Sequence, residues 1–195
     1  MGVMHFYIRA GASRPFLFLH FREVFLGAGL YPCEKNMGNN WNSFRLRVNI
    51  NQPPDKVFAA ISTPAGLESW FLRRAAFSGA SGDERIRPGE AYEWLWHGYP
   101  DNVAVKGSVT AVDGSVFAFT FSMGSLVSIS TYRECDETIV ELVESGLPTD
   151  EETMMKHYVG DSKGWIFYLV NLKSVLEGGL DLRNRKEELK NVITA

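Results

Sequence analysis

The fold of this chain is decided by one stretch near its end, Gly164-Trp-Ile-Phe-Tyr-Leu-Val-Asn-Leu-Lys-Ser-Val-Leu-Glu-Gly-Gly179. Six apolar residues in it recur at steps of three and four, the spacing of one helical face: Trp165, Tyr168, Leu169, Leu172, Val175 and Leu176. Ile166, Phe167 and Val170 widen the apolar surface beyond a single stripe. The sequence therefore predicts a long helix that packs against something large, and an antiparallel sheet is its natural partner.

Both ends of this helix have sequence signals. Asp161 or Ser162 is expected to cap the first turn, because either side chain can accept a hydrogen bond from a free backbone N–H. Gly178 and Gly179 suit the left-handed backbone geometry that ends a helix. We therefore expect one helix of about 16 residues, roughly 24 Å long at 1.5 Å per residue.

The amino-acid composition limits the classes of protein to which this chain can belong. The chain has 195 residues, of which 45% are hydrophobic and 22% charged, which is typical of one globular domain. A net charge of -3 argues against nucleic acid as a partner. The 13 Phe, 7 Tyr and 5 Trp residues suit both a core and an apolar ligand pocket. Two cysteines make no disulfide framework, so we expect a reducing, cytoplasmic compartment.

The first 36 residues differ from the rest. They carry a net charge of +2, against -5 for the remainder, and show no clear period. Their longest apolar run, at residues 16–19, is too short for a membrane span. Three interpretations stay open: a disordered extension, translated sequence upstream of a start at Met37, or a degraded targeting segment.

A strand and two short helices follow. Phe44, Leu46, Val48 and Ile50 alternate with polar residues, which predicts a half-buried strand. Asp55 is expected to cap one short helix, and Thr63-Pro64 is a cap followed by proline at the first helical position. Six further strands are expected at residues 74–78, 91–97, 103–112, 116–121, 126–133 and 138–145. Thr149 is then expected to cap a short helix that leads into the long one.

This order of elements predicts an α+β fold. A curved antiparallel sheet of about seven strands wraps around the long C-terminal helix, with two short helices after the first strand. The tail at residues 183–195 is charged and is expected to lie outside the domain.

Two sets of residues resemble a known family. Asn51-Gln-Pro-Pro54, Asp55-Lys-Val-Phe58, Thr63-Pro64 and Trp70 resemble the opening of the START/Bet v 1-like (SRPBCC) superfamily. Gly164-Trp165 with Asn171-Leu172-Lys173 and Leu176 is similar to its branch related to the activator of Hsp90 ATPase. The resemblance covers residues 43–182 and implies a helix-grip fold for a domain at residues 37–182.

The resemblance also implies a cavity between the sheet and the long helix. Seven residues are candidates to line it and bind a ligand: Trp94, Trp96, Phe119, Phe121, Trp165, Tyr168 and Leu172. For any single one of them core packing is the favoured interpretation, whereas a continuous cavity lined by several of them is still expected.

Signals for catalysis are weak. The four histidines are scattered, Gly79-Ala-Ser-Gly82 lacks the lysine of a phosphate loop, and no His or Cys pair has metal-ligand spacing. We therefore expect no metal, no cofactor and no catalytic residue. Glu93, Glu141 and Glu144 lie on predicted strands, and solvated strand faces explain them more simply than buried acid–base groups.

Three functions remain. The favoured one is a module that binds an apolar or amphipathic small molecule in the cavity. The alternatives are a protein-interaction domain like the Hsp90 activator, with a chaperone or other protein as partner, and a cyclase or aromatase. We expect a monomer or homodimer with no membrane span.

Overall fold

A computed structural model describes residues 41–186, 188, 189 and 192. Within them lie seven strands: β1 (Ser43–Ile50), β2 (Arg74–Phe77), β3 (Ala91–Leu95), β4 (Val105–Val112), β5 (Val116–Thr120), β6 (Leu126–Glu134) and β7 (Glu137–Ser145). The α-helices among these residues are α1 (Pro54–Ser62), α2 (Pro64–Trp70), α3 (Glu151–Met154) and α4 (Gly160–Leu176). The predicted extension at residues 1–36 lies outside the described residues.

The strands form one antiparallel sheet in the order β1-β7-β6-β5-β4-β3-β2. The predicted α+β helix-grip arrangement is thus confirmed. Successive strands β1 and β2 lie at opposite edges, so the chain crosses the sheet between them through α1 and α2. All later strands follow as hairpin neighbours, and β7 returns to pair with β1.

Strand β7 shows which side chains of the sheet face the core and which face outward. Thr138, Val140, Leu142 and Glu144 are buried on the inner face, while the residues between them are partly exposed. Leu142 lies opposite Leu46 of β1 and Ile129 of β6. This alternation follows from the two-residue period of a strand.

The two short helices form where the sequence predicts them. Thr63 caps α2, since its Oγ1 accepts a hydrogen bond from the Gly66 N–H at 3.0 Å. The predicted cap of α1 is wrong: Pro53 occupies that position and Asp55 lies in the first turn. Because Pro54 has no N–H, one fewer donor at this helix start needs a partner. The Trp70 indole N–H donates to the Ala60 carbonyl and ties α2 to α1.

The start of the long helix differs from the prediction. Neither Asp161 nor Ser162 caps it, because α3 continues through a π-helical turn (Met155–Val159) into α4. The backbone N–H groups at the start of α4 therefore already have partners in the preceding turn, and no cap is required. The cap lies upstream, and it is Asp150 rather than Thr149: its Oδ1 accepts from the Thr153 N–H at 3.0 Å.

The buried face of α4 is largely the predicted one. Trp165, Tyr168, Leu169 and Leu172 are buried in the core with the sheet and the short helices. Gly178, with a φ of 84°, follows the last turn as expected.

Two of the apolar residues that widen the apolar surface of α4 lie outside its buried face. Ile166 is 50% exposed and Val170 is 49% exposed. At 100° per residue both lie on the side of α4 away from the core.

The chain beyond α4 folds back onto α2. Arg183, the first residue of the expected tail, has a side chain only 1% exposed. Its guanidinium donates to the carbonyls of Glu68, Ser69 and Leu72 at 2.9 Å each, and it pairs with Asp181. These carbonyls are the ones that the end of a helix leaves without partners.

Candidate functional site

A cavity of about 310 Å³, open to solvent on one side, lies between α4 and the half of the sheet that contains β3, β4 and β5. The helix side of its wall is Gly160, Asp161, Gly164, Trp165 and Tyr168. The opposite side comes from residues at the end of α2, around β3 and β4, and directly after β5: Phe71, Trp96, Tyr99, Val103, Val105, Phe121 and Ser122. The cavity is therefore mainly aromatic and aliphatic.

Phe71 joins the aromatic side chains of this wall. Its ring lies 5.1 Å from Trp165, 4.7 Å from Tyr168 and 5.7 Å from Trp96, measured between centroids. Phe121 lies 5.4 Å from Trp165. Edge-to-face and tilted packing of this kind holds the rings in fixed positions. The wall is therefore held in place by contacts among its own side chains.

The structure separates the seven predicted site residues into two groups. Four line the cavity: Trp96, Phe121, Trp165 and Tyr168. Trp94, Phe119 and Leu172 are fully buried in the core instead and are absent from the cavity wall. Trp94 packs at 4.8 Å against Phe119. The two rings lie behind the wall, since Trp94 is 5.6 Å from Phe71 and Phe119 is 6.4 Å from Trp165.

Sequence reasoning missed the glycines of the helix wall. Gly160 and Gly164 are four residues apart, so they lie on one side of α4. A Cβ added at either would meet no atom within 4 Å. The missing side chains help to leave this space open, and the spacing of the two glycines was the available signal.

A buried carboxyl group lies beside the cavity. Glu144 is fully buried on β7. Its Oε1 accepts a hydrogen bond from the Ser125 hydroxyl at 2.6 Å, and its Oε2 accepts from the Trp165 indole N–H at 2.9 Å. Burial, together with the nearby charge of Asp161, raises the pKa of Glu144 to about 7, although both hydrogen bonds act against the rise.

Asp161 supplies a second carboxyl group, and this one is on the cavity wall itself. Burial raises its pKa to about 6. Its Oδ2 is inaccessible to solvent and accepts no hydrogen bond from any described residue; His157 Nδ1 lies 3.8 Å away, beyond hydrogen-bond distance. Asp161 directly follows the π turn and Gly160, and π turns are frequent at functional sites.

The expected role of the strand glutamates is right for two and wrong for one. Glu93 is on a solvated face and pairs with Lys106 at 2.8 Å, and Glu141 lies among Arg45 and Arg47 on the outer face. Glu144 instead has the same two-residue phase as Val140 and Leu142 and is buried. The alternation was visible in the sequence. Because Ile139 and Val143 on the other face are also apolar, it did not show which face of the strand is buried.

The site thus combines an apolar cavity with two carboxyl groups that change charge near neutral pH. Such groups can hold a polar part of a ligand or exchange a proton with it. Within the described part of the chain, no group of three or more His, Cys, Asp or Glu side chains could hold a metal ion.

A family model supports the fold. Residues 51–177 match the model of the activator of Hsp90 ATPase homolog 1-like proteins. The chain belongs to this family. The resemblance seen in the sequence is thereby confirmed, and the domain is placed in that branch of the START/Bet v 1-like superfamily.

Solved structures give the same fold for this family member. A crystal structure of a protein from Staphylococcus saprophyticus is 20% identical, covering 72% of this chain and 96% of that one, with a TM-score of 0.59. The Aha1 dimer from Colwellia psychrerythraea is 19% identical over 70% of this chain and 97% of that one, with a TM-score of 0.55. DynU16, from the dynemicin biosynthetic locus, is 18% identical over 74% of this chain and 50% of that one, with a TM-score of 0.57. No curated protein matches the chain.

Among the residues that the structure describes, no helix has the length and apolar character needed to cross a bilayer.

Proposed function

We propose that this domain binds a compact apolar or amphipathic molecule in the cavity between α4 and the sheet. One observation carries the proposal: the cavity is walled by packed aromatic rings, and two glycines leave its helix side open. Its volume is at the lower end of the roughly 300–1,000 Å³ typical of small-molecule sites. A ligand with one or two rings therefore suits it better than a long-chain lipid.

The indole rings on the wall allow ligand binding to be measured directly by tryptophan fluorescence. Trp96 and Trp165 both line the cavity, so a bound apolar molecule changes the surroundings of two of the five tryptophans. Titration with a panel of apolar ring compounds should change tryptophan emission saturably. Micromolar binding, about -8 kcal/mol, is expected for a pocket of this kind.

A variant that fills the cavity tests the location. Gly164→Leu adds a side chain where the wall is open, and the helical backbone accepts it because leucine is a better helix former than glycine. We expect binding to weaken at least about tenfold, a loss of 1.4 kcal/mol or more, while thermal stability is kept or improved.

The matched control is Lys163→Leu. It places the same side chain at the neighbouring exposed position of α4, outside the cavity wall. This variant should bind as the parent does. If Gly164→Leu also binds every compound as well as the parent, the ligand site is not this cavity.

A further inference from the structure

Asp161 gives the cavity its charge. Among the described residues that line the cavity, Asp161 is the single carboxylate, and there is no lysine, arginine or histidine. Glu144 lies next to it and adds to the negative potential when ionised. A ligand anion would therefore meet repulsion and find no cation on the wall.

No described residue donates a hydrogen bond to the Asp161 carboxylate, and its nearest basic group is the His157 imidazole. Its Oδ2 is closed off from solvent and has no hydrogen bond from a described residue, and His157 Nδ1 is 3.8 Å away. Asp161 lines the cavity while its Oδ2 is closed off, so the oxygen that a ligand can reach is Oδ1. A partly buried carboxylate with no donor is costly to keep charged, and a strong donor to its accessible oxygen reduces that cost.

Two other charged groups nearby, Glu144 and Arg183, are already engaged. Glu144 accepts from Ser125 and Trp165, and both of its oxygens are thus occupied. Arg183, whose charge acts on Tyr168 of the wall, is bound to Asp181 and to backbone carbonyls. Asp161 is therefore the group on this wall that is left for a ligand.

We propose that the ligand of this cavity is a cationic amine with an apolar ring body, and that Asp161 binds the ammonium group. This inference rests on the proposed function and specifies its ligand class. An ammonium donates up to three hydrogen bonds and carries the charge that offsets the carboxylates. Burial raises the pKa of Asp161 to about 6, so the group is mainly ionised above pH 7 and available for this pairing.

Three probes that share one ring body test the ligand class at pH 7.5 by calorimetry: 1-naphthylmethylamine, 1-naphthalenemethanol and 1-naphthoic acid. The amine should bind about tenfold or more tightly than the acid, as expected for a charge-assisted hydrogen bond. The alcohol should fall between them. Because this comparison uses the parent protein, it does not depend on whether any variant folds.

Asp161→Asn then tests the residue. The amide keeps the shape and removes the charge, so the preference for the amine over the acid should fall to within about threefold, or about 0.6 kcal/mol. Asp161→Ser serves as a second variant, and circular dichroism checks both folds. Glu93→Gln is the matched control: it removes one carboxylate from a solvated strand face, and the preference should persist.

The outcomes separate this inference from the proposed function. If none of the probes binds the parent protein, both are overturned. If all three bind equally, or if Asp161→Asn keeps the full preference for the amine, the cavity is a ligand site but the amine assignment is wrong.

Discussion

At the scale of single residues, Glu144 is the least expected feature. A glutamate is seldom fully buried without a charged partner, and here a serine hydroxyl and an indole N–H take that place. Through the Trp165 hydrogen bond, Glu144 connects β7 to the helix wall of the cavity. The same carboxyl group therefore positions a wall residue and carries a charge that is costly to bury.

The pH dependence of stability follows from Glu144. Its pKa rises from 4.5 to about 7 on folding, so the folded protein binds this proton more tightly than the unfolded chain does. The free energy of unfolding should therefore fall as pH rises from about 4.5 to 7, by on the order of 3 kcal/mol from this group. Asp161 acts in the same direction between 3.8 and about 6.

Urea unfolding of the parent and Glu144→Gln between pH 5 and 8 measures this effect. Glutamine keeps an oxygen for the Trp165 N–H and can donate to the Ser125 hydroxyl. The variant should therefore lose much of the pH dependence and be at least as stable as the parent at pH 8. Equal pH profiles for both proteins would contradict the assignment, and Glu93→Gln controls for the loss of a surface charge.

How far the sequence predicts the site depends on the residue. Trp165 and Tyr168 were found because they belong to a periodic apolar face. Phe71 and Tyr99 were missed, because a residue after a helix and one in a loop belong to no period. Trp94 and Phe119 were named along with the wall residues because a strand pattern tells which face a side chain is on, but not whether it meets a gap or a neighbour.

At the scale of elements, α4 is a helix with one face in the core and one in solvent. Its buried face could be predicted from spacing, and its end from Gly178. Its start could not, because the π turn at Met155–Val159 has no composition signal and joins α3 to α4 without a cap. Local capping rules assume a free helix start, and here there is none.

Two alanine variants on this helix test its orientation. Leu172 is fully buried, so Leu172→Ala should lower the free energy of unfolding by about 2–5 kcal/mol. Ile166 is half exposed on the opposite side, so Ile166→Ala should change it by less than about 0.5 kcal/mol. Chemical denaturation of both variants in one buffer gives the comparison. Similar losses in the two would mean that the helix is rotated.

At the scale of the whole molecule, we propose that the stable unit begins near Met37 and includes the residues just after α4. Arg183 satisfies carbonyls at the end of α2, and the Asn171 side chain accepts from the Leu182 N–H at 2.7 Å. The chain after Leu182 therefore contributes contacts, which a charged composition alone did not indicate.

Trimming each end tests this boundary. A protein that begins at Met37 should melt within a few degrees of the full chain, because residues 1–36 differ from the domain in charge and lack periodicity. A protein that ends at Leu182 should be less stable by about 1–3 kcal/mol or more, since buried carbonyls lose their donor. Calorimetric melting of the two shortened proteins and the full chain measures these differences in stability. A loss above about 3 kcal/mol on removing residues 1–36 would show that they stabilise the domain.

The pairing of β1 with β7 has a consequence for biosynthesis. Ser43 lies opposite Ser145, so the first strand of the sheet has no strand partner until the last strand has been made. A ribosome adding roughly 5–20 residues per second needs about 5–20 seconds for the intervening hundred residues. During that interval a nascent β1 exposes alternating apolar side chains and an unpaired edge. Stalled or truncated chains of this protein are therefore expected to aggregate more readily than the completed chain.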